Sequence, residues 1–409
     1  MCVKVACVGG GPAGLYLSIL LKRQDPSHDI TVHERDPEGS TYGWGVTYWR
    51  ELLDRLHEHD PESARAVREN SVRWNQGVAH VGDLTTRRPG DEGHGIGRHR
   101  FLEILADRAR SLGVRLEFER EITPGGLPDA DLVVAGDGVG SALRTRHAEH
   151  FGTRIKNGRN TYVWLGTTKV FDSFTFAFVE TGHGWIWCYG YPYGADRSTC
   201  VIECAPETRT GLGLDRGSEA ERLALLEKLF AGILDGHPLI GSASAGSGSG
   251  AQWLTFRTLT NRTWHRGNLV LVGDAAHTTH YSIGAGTTLA LEDAIALAGA
   301  LREPAPLPYA LARYEHERKK ALLPVQSAAR YSAQWYENLQ RYIHLPPERM
   351  FALLGQRHSP LLPYVPPQLY YRIDHAVGRS EGLRRLKRWL GPRIARTVHA
   401  RTLASRGQG

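Results

Sequence analysis

The amino-acid sequence predicts an α/β fold that carries an inserted mixed or antiparallel β-sheet and ends in helices. Three observations lead to this class. Buried-strand patterns alternate with helical patterns at the beginning of the chain, which is typical of a parallel sheet. Residues 160–204 are rich in β-branched and aromatic residues with turn signals between them, which favours antiparallel strands. The chain has 409 residues, which suits two packed domains.

Strand and helix patterns run through the first part of the chain and return near its end. Short apolar runs predict strands at residues 3–8, 30–35, 114–119, 129–138 and 268–277. Apolar residues at helical spacing predict helices from Pro12 to about Arg23 and at about 99–112, 218–234, 285–302 and 307–342. Residues 241–250 (GSASAGSGSG) predict a flexible loop, because such a segment has no means of burying a core.

Composition and charge exclude several classes of protein. No apolar run approaches the ~20 residues of a membrane span, and no signal peptide is expected at the N-terminus. The five cysteines show no CxxC pattern, which favours reduced thiols in a cytoplasmic protein, and the histidines and cysteines lack the spacing of a metal site. The net charge is +7, but it is not interleaved with aromatic residues, so no nucleic-acid partner is expected.

Much of the positive charge lies near the end of the chain. These basic residues are interpreted as the solvent-exposed face of a helix, in preference to a positive electrostatic field that attracts an anionic substrate. The basic residues of this tail are Arg384, Arg385, Lys387, Arg388, Arg393, Arg396 and Arg401.

A glycine motif, GGGPAG, occupies Gly9–Gly14, between the first predicted strand and the first predicted helix. In this context Gly9 allows a tight turn, Gly11 lets a pyrophosphate approach the backbone, and Gly14 lets the helix pack on the sheet. The helix N-terminus favours negative phosphates. Glu34 ends the next strand, where a carboxylate accepts hydrogen bonds from a ribose. The glycine motif, its place between a strand and a helix, and Glu34 together predict a Rossmann-type dinucleotide site for NAD or FAD.

Two further segments follow predicted strands, Asp137–Arg144 (DGVGSALR) and Gly273–His277 (GDAAH). Together with GGGPAG they resemble the class A flavin-dependent aromatic monooxygenases of the p-hydroxybenzoate hydroxylase type, over about residues 1–320. The resemblance implies an FAD cofactor. It implies that the first segment lies near FAD and a nicotinamide path, that Asp274 binds a ribityl hydroxyl of FAD, and that Arg98 lies near the pyrophosphate.

The loop after GDAAH departs from the usual family pattern. The family commonly has a Pro-Pro pair and an Asn that faces the flavin, whereas this chain has His280, Tyr281 and Thr288. The strings WLGTTKVFDSF, GYPYG and HTTHYSIGAGTTLALEDA resemble the salicylyl-CoA 5-hydroxylases and 2-aminobenzoyl-CoA monooxygenases, over about residues 1–345. The residues expected to bind FAD are Gly9, Gly11, Pro12, Ala13, Gly14, Glu34, Arg35, Arg98, Asp137, Asp274, Gly284, Gly286, Thr287 and Thr288.

We expect three parts in the chain. Residues 1–72, 98–155 and 262–325 form a discontinuous Rossmann-type FAD-binding domain. Residues 73–97 and 156–261 form a substrate-binding sheet domain, and residues 326–409 form a C-terminal helical region. A monomer or a homodimer is expected.

The resemblance also implies a mechanism. NADH or NADPH would reduce FAD during a transient visit, since the chain has one dinucleotide motif, and O2 would then form a flavin C4a-hydroperoxide that attacks an electron-rich ring carbon. The protein would hold the ring and exclude water with aromatic walls. Candidates for these walls, each of which alternatively belongs to the core, are Tyr48, Trp185, Trp187, Tyr189, His280 and Tyr281. His280, Tyr281, Tyr48 and Trp187 are the expected catalytic residues, with His280 polarising a substrate phenol.

The sequence leaves the substrate open. An aryl-CoA thioester such as salicylyl-CoA, hydroxylated at ring position 5, is favoured, and Arg257, Arg262, Arg266 and Lys169 are candidates to meet its phosphates. The main alternative is an indole or another free aromatic of a biosynthetic pathway. Flavin halogenation is a further alternative, because Trp185-Ile186-Trp187 resembles the first part of the WxWxIP motif of flavin halogenases, and a non-catalytic flavin redox role is another.

Overall fold

A computed structural model describes residues 3–41, 43–241 and 251–378 of the chain. Most of the predicted glycine–serine loop and the whole basic segment from Arg384 to Arg401 lie outside these described residues. The strands, in chain order, are β1 (Lys4–Val8), β2 (Asp29–His33), β3 (Gly45–Trp49), β4 (Val72–Val81), β5 (Leu84–Gly97), β6 (Arg115–Glu117), β7 (Leu132–Ala135), β8 (Arg154–Thr167), β9 (Phe174–Thr181), β10 (Gly184–Pro192), β11 (Ser198–Cys204), β12 (Leu239–Ile240), β13 (Leu254–Thr260), β14 (His265–Arg266) and β15 (Leu269–Leu271).

Helices cover most of the remaining described chain. They are α1 (Pro12–Gln24), α2 (Arg50–His59), α3 (Pro61–Glu69), α4 (Arg98–Ser111), α5 (Ala142–Arg146), α6 (Ala148–Phe151), α7 (Pro206–Gly211), α8 (Glu219–Leu229), α9 (Ala231–Leu234), α10 (Gly286–Arg302), α11 (Leu307–Glu337), α12 (Gln340–Ile343), α13 (Pro347–Gly355) and α14 (Pro367–Gly378). Short 3₁₀ turns lie at Gly273–Ala275, Tyr281–Ile283 and Leu362–Tyr364. No helix within the described ranges has the length and hydropathy that a membrane span needs.

The first sheet has six strands in the order β14-β15-β7-β1-β2-β6, and all its pairs are parallel except β14 with β15. Its strands read as continuous apolar runs because helices cover them. Helix α1 is buried over almost its whole length, since it packs against α4 and α10 as well as the sheet. The carboxyl ends of β1, β2, β7 and β15 therefore meet at one edge, where ligands bind in folds of this class.

The second sheet has β12-β8-β11-β10-β9-β4-β5-β3 in order, with β13 added beside β8. Only β4 and β9 pair in parallel, so this sheet is mixed, as expected. The predicted α/β class with an inserted mixed sheet is confirmed. Strand β3 lies in the range 1–72 that we expected in the FAD-binding domain, yet it pairs with β5 of the second sheet, Val46 opposite Ile96.

Helices α11–α13 cover one face of the second sheet. Trp335, Tyr336 and Phe351 from these helices form one buried cluster with Phe178 and Trp187 of the sheet. Helix α11 ends at Glu337, several residues before the predicted boundary at about 342, and a separate short helix follows. The C-terminal helices thus determine which aromatic side chains of the sheet remain open to a ligand.

Candidate cofactor and substrate site

A cavity of about 990 Å³ is lined by residues from both sheets. On the first sheet its lining consists of strand-end loops rich in glycine, which we call the glycine wall: Gly9–Ala13, Gly136–Gly140, Gly273, Asp274 and Gly284–Thr287. On the second sheet its lining consists of large rings, which we call the aromatic wall: Tyr162, Trp164, Phe174, Tyr189 and Tyr191, joined by Tyr281 from the 3₁₀ turn. Ligand sites of this size are common at such strand ends.

The turn from β1 to α1 requires glycine at two positions for steric reasons. Gly9 has φ +107°, and a Cβ atom there would lie 2.3 Å from the carbonyl oxygen of Gly136. A Cβ atom on Gly14 would lie 2.3 Å from the carbonyl oxygen of Gly9. Real Cβ atoms do not approach backbone so closely, so these two glycines let strand, turn and helix pack together.

Gly11 differs from these two glycines because it faces open space. A Cβ atom on Gly11 would meet nothing within 4 Å, and the same holds for Gly138, Gly140 and Gly286, all of which line the cavity. Helix α1 begins at this point with neither a side-chain cap nor an acidic residue in its first turn. Its first N–H groups and its dipole suit an anion. This cradle fits the pyrophosphate of a dinucleotide.

Glu34 lines the cavity but already has backbone partners. Its Oε2 atom accepts a hydrogen bond from the N–H of Gly10 at 2.7 Å, and its Oε1 atom accepts one from the N–H of Asp36 at 3.0 Å. The carboxylate therefore holds the glycine turn against the end of β2, in addition to the ribose contact expected from the sequence. Arg35 is exposed beside it at the rim of the cavity.

Asp137 and Asp274 both line the cavity from strand ends of the first sheet. The Oδ2 atom of Asp137 accepts from the N–H of Ala142 at 2.9 Å and so fixes the turn before α5. The side chain of Asp274 opens onto the cavity while protein surrounds it elsewhere. This burial raises the pKa of Asp274, while His277 and Arg98 act in the opposite sense and the Asp293 carboxylate acts in the same sense.

The loop that leads into α10 brings a second helix N-terminus to the cavity. Gly284 turns the chain with φ +63°, and α10 begins at Gly286 without an acidic residue in its first turn. Thr287 lines the cavity, whereas Thr288 does not. Of the fourteen residues expected to bind FAD, Gly14 and Thr288 are the two that are absent from the cavity lining, and Gly14 acts through packing instead.

Tyr48, Trp187 and His280, expected as catalytic residues, do not line the cavity. The Tyr48 hydroxyl donates to Ser71, and its ring stacks on His94 with centroids 5.1 Å apart. Trp187 points to the same face of β10 as Tyr189, but the ring of Tyr336 covers it at 5.7 Å.

His280 is buried beside Phe256, and its Nδ1 atom shares a hydrogen bond with the Ser282 hydroxyl at 2.8 Å. Burial lowers the pKa of His280 to about 3, with Arg357 contributing, so the ring stays neutral at neutral pH. His280 therefore lies outside the cavity lining as a neutral ring, and its expected role beside the substrate stays a prediction. Of the four expected catalytic residues, Tyr281 reaches the cavity.

Three polar residues of the site escaped the sequence analysis. Glu203 accepts a hydrogen bond from Tyr281, Asp293 holds the GDAAH turn, and Arg357 lines the cavity from the C-terminal region. Glu203 lies in a strand segment with a buried pattern, STCVIEC, and Asp293 lies beside Glu292 in the mainly apolar helix segment LALEDAIALAGAL. In both cases a charged residue in a segment with the pattern of a buried element was the sequence feature that could have indicated a site residue.

Part of the cavity lining lies on and beside β13, an edge strand whose pairing with β8 shifts register between Thr255 and Arg257. Gln252, Thr255 and Arg257 line the cavity and are exposed. Of the four basic residues expected to meet CoA phosphates, Arg257 lines the cavity. The others lie elsewhere: Lys169 pairs with Asp235, Arg266 contacts the His147 ring, and Arg262 packs over Gly152.

The parallel sheet has a glycine turn after its first strand, and this turn faces a cavity lined by aromatic rings. This arrangement is typical of an enzyme that uses a dinucleotide cofactor to modify an aromatic substrate. Residues 128–326 match the model of the FAD binding domain family. The chain is 36% identical over 351 residues to a salicyloyl-CoA 5-hydroxylase from Streptomyces sp, covering 83% of this chain and 66% of that protein's length. It is 34% identical to the 3-hydroxy-4-methyl-anthranilyl-[aryl-carrier protein] 5-monooxygenase of Streptosporangium sibiricum, covering 87% of this chain and 94% of that one.

A solved structure, the tetrameric form of 2-methyl-3-hydroxypyridine-5-carboxylic acid oxygenase, has the same fold with a TM-score of 0.66. The match is 19% identical and covers 88% of this chain and 96% of that chain. This chain belongs to the FAD-dependent aromatic monooxygenases, as the sequence motifs predicted.

Replacing Asp274 with alanine is expected to weaken FAD binding about tenfold to a hundredfold, because a charge-assisted hydrogen bond contributes about 1.5–3 kcal/mol. Titration of the apoprotein with FAD, followed by flavin fluorescence, measures the change. Asp54→Ala is the matched control, since Asp54 is exposed on α2 and outside the cavity. Equal affinities for the two variants would rule out a contact between Asp274 and FAD.

Proposed function

We propose that this protein hydroxylates an aromatic ring that is carried as an acyl thioester, with salicylyl-CoA as the substrate and ring position 5 as the site of oxygen addition. The observation that carries the proposal is the continuity of one cavity from the glycine wall, past the aromatic wall, to exposed residues beside β13. A ring can lie against the aromatic wall while a long polar arm leaves through this mouth. Two relatives are named for aryl groups attached to a large carrier, CoA in one and an aryl-carrier protein in the other.

The proposed FAD contacts follow from the cavity lining. Gly9–Ala13 and the start of α1 would hold the pyrophosphate, Glu34 and Arg35 the ribose side, and Arg98, Asp137, Asp274 and Gly284–Thr287 the remainder. When bound, FAD supplies the reduction of O2 that ring hydroxylation needs, with NADH or NADPH as the transient reductant. A cytoplasmic monomer or homodimer is proposed.

The chain's own side chains position the substrate. The Phe174 ring stacks against Tyr189 and against Tyr191, with centroids 6.5 Å and 5.5 Å apart, and the three rings form an aromatic plate. Such a plate holds a ring by offset stacking and keeps water away from it. Arg257 at the mouth supplies a guanidinium that suits a phosphate of the carrier.

Salicylyl-CoA is expected to stimulate NAD(P)H oxidation by the FAD-loaded protein, and mass analysis is expected to show a gain of one oxygen. The thioester should give a higher kcat/KM than free salicylate, because the arm adds binding energy at the mouth. Turnover of free salicylate or an indole in preference to the thioester would contradict the proposal and favour a free aromatic substrate. Retained FAD without stimulation by any of these aromatics would contradict it as well.

Arg257→Ala is expected to raise the KM for salicylyl-CoA about tenfold to a hundredfold while kcat changes little, because a bond to a phosphate is charge-assisted and lies far from the ring. Steady-state kinetics at two salt concentrations measure the effect. Arg262→Ala is the matched control, since Arg262 is also exposed but does not line the cavity. If both variants behave alike, the carrier does not leave beside β13.

A further inference from the structure

A carboxyl group with no cationic partner in the described part of the chain lies directly behind the aromatic wall. Glu203 of β11 is 1% exposed. Its Oε1 atom accepts a hydrogen bond from Asn160 Nδ2 at 2.8 Å, and its Oε2 atom accepts one from the Tyr281 hydroxyl at 2.7 Å. Within the described ranges, no ion pair with Lys, Arg or His reaches it. A buried carboxylate that is paired with neutral groups alone is costly, so its presence asks for a function.

Tyr281 connects this carboxyl group to the cavity. Its ring lines the cavity and lies 4.3 Å from the ring of Tyr162 and 6.1 Å from that of Tyr189, measured between centroids. The side chain of Tyr281 therefore joins the cavity lining to Glu203. A hydrogen bond of 2.7 Å is short enough for proton transfer between the two oxygens.

The charges around Glu203 allow it to exchange a proton near neutral pH. Burial raises the pKa of Glu203 to about 7, the hydrogen bonds from Asn160 and Tyr281 lower it, and the charge of Glu337 raises it. The other titratable groups that act electrostatically with it are Tyr281, Tyr189, Tyr336 and Cys204, whose pKa values burial raises, so they stay neutral at this pH.

We propose that Glu203 accepts the proton of the substrate's ring hydroxyl through Tyr281. The substrate O–H bond breaks as its proton passes to the Tyr281 oxygen, while the Tyr281 proton passes to Oε2 of Glu203. The substrate becomes a phenolate and the carboxylate becomes a neutral carboxyl group, with no change in oxidation state. A phenolate is more electron-rich at its ortho and para carbons than a phenol, so oxygen addition to the ring becomes easier. This inference rests on the proposed function only in requiring a ring hydroxyl.

The first test measures product formation in a single turnover of the pre-reduced holoenzyme with oxygen, from pH 5 to 9. The aromatic is salicylyl-CoA, or free salicylate if the thioester is inactive. The wild-type rate should rise with pH through about 7, where Glu203 becomes ionised. Glu203→Gln and Tyr281→Phe should each lower the plateau by about a hundredfold and flatten the profile, and the double variant should lose no more than either one. Glu203→Asp should restore part of the pH dependence.

Glu337→Gln separates this role from a structural one. Glu337 accepts a hydrogen bond from the N–H of Arg159 at 2.9 Å, which a glutamine oxygen can keep, while the like charge that raises the pKa of Glu203 is removed. The midpoint of the pH profile should therefore move to lower pH with an unchanged plateau. A purely structural Glu203 would leave the midpoint where it is.

Infrared spectroscopy tests the proton acceptor without any substrate. Difference spectra of the wild-type holoenzyme should show a carboxylic-acid C=O band that disappears as pH rises through about 7, moves to lower pH in Glu337→Gln, and is absent in Glu203→Gln. Absence of this band in the wild type, or a wild-type pH profile in Glu203→Gln, would overturn the inference. If salicylyl-CoA fails while free salicylate shows the expected profile, the thioester proposal falls and the role of Glu203 stands.

Discussion

Asp293→Ala is expected to lower the free energy of unfolding by about 3–5 kcal/mol, the cost of breaking a buried ion pair from one side. The Asp293 carboxylate is 0% exposed. It accepts hydrogen bonds from the N–H of Gly273 at 2.8 Å, from His277 Nε2 at 2.9 Å and from Arg318 Nε at 2.8 Å. Its removal leaves the buried Arg318 guanidinium paired with the partly exposed Glu292 alone and releases the turn that carries Asp274. Urea unfolding followed by tryptophan fluorescence measures the first effect, and FAD titration measures the second.

Glu292→Ala provides the matched control for this prediction. Glu292 is the adjacent carboxylate and pairs with the same arginine through Nη1 at 3.1 Å, but its side chain is 33% exposed. Its loss should cost about 1 kcal/mol or less, because solvent screens the pair. If Asp293→Ala and Glu292→Ala destabilise the protein equally, burial of the Asp293 carboxylate does not determine the stability of this turn.

The contribution of Asp293 and its partners His277 and Arg318 to the free energy of unfolding should change with pH in one direction. Burial alone would raise the pKa of Asp293, but His277 and Arg318 beside it hold the pKa below its usual value. A group whose pKa is lowered in the folded state stabilises the protein above its unfolded pKa, about 4, and this stabilisation is lost as pH falls. The wild type should therefore lose more stability than Asp293→Ala on acidification below about pH 4.

The sequence predicted the glycine wall because each of its features is local. The motif around Gly9 consists of spaced glycines with a strand before them and a helix after them, all within a short segment. Because steric limits on the backbone require glycine at these positions, the pattern indicates a dinucleotide-binding turn. The same holds for the segments around Asp137 and Asp274. Their common position at one sheet edge follows from the parallel pairing of β1, β7 and β15.

The aromatic wall could be predicted only in part, because it depends on contacts between distant parts of the chain. Trp187 and Tyr189 lie two residues apart in β10, so both side chains point to the same face of the strand. The strand period therefore does not show which of the two rings faces the ligand. Tyr336, nearly 150 residues later in the sequence, covers the first ring and leaves the second in the cavity. His280 and Tyr281 are neighbours in a 3₁₀ turn, where no period tells which side chain faces the ligand.

The pair Gly9→Ala and Gly11→Ala should separate the two uses of glycine in the β1–α1 turn. Gly9→Ala is expected to destabilise the fold by about 2–6 kcal/mol, from about 1–3 kcal/mol of backbone strain at φ +107° and a similar cost of overpacking against Gly136. Gly11 has an extended φ of −77° and open space at its Cβ position, so Gly11→Ala should change stability by about 1 kcal/mol or less.

FAD binding should show a different pattern in the same pair. The methyl group of Gly11→Ala occupies the space in which a pyrophosphate would meet the first N–H groups of α1, so affinity should fall about tenfold to a hundredfold, the equivalent of one or two charge-assisted hydrogen bonds. Urea unfolding of the apoprotein and FAD titration of the folded variant measure the two effects separately. A folded Gly11→Ala protein with wild-type affinity would place the pyrophosphate away from this helix, whereas wild-type stability of Gly9→Ala would contradict the close approach of the turn to Gly136.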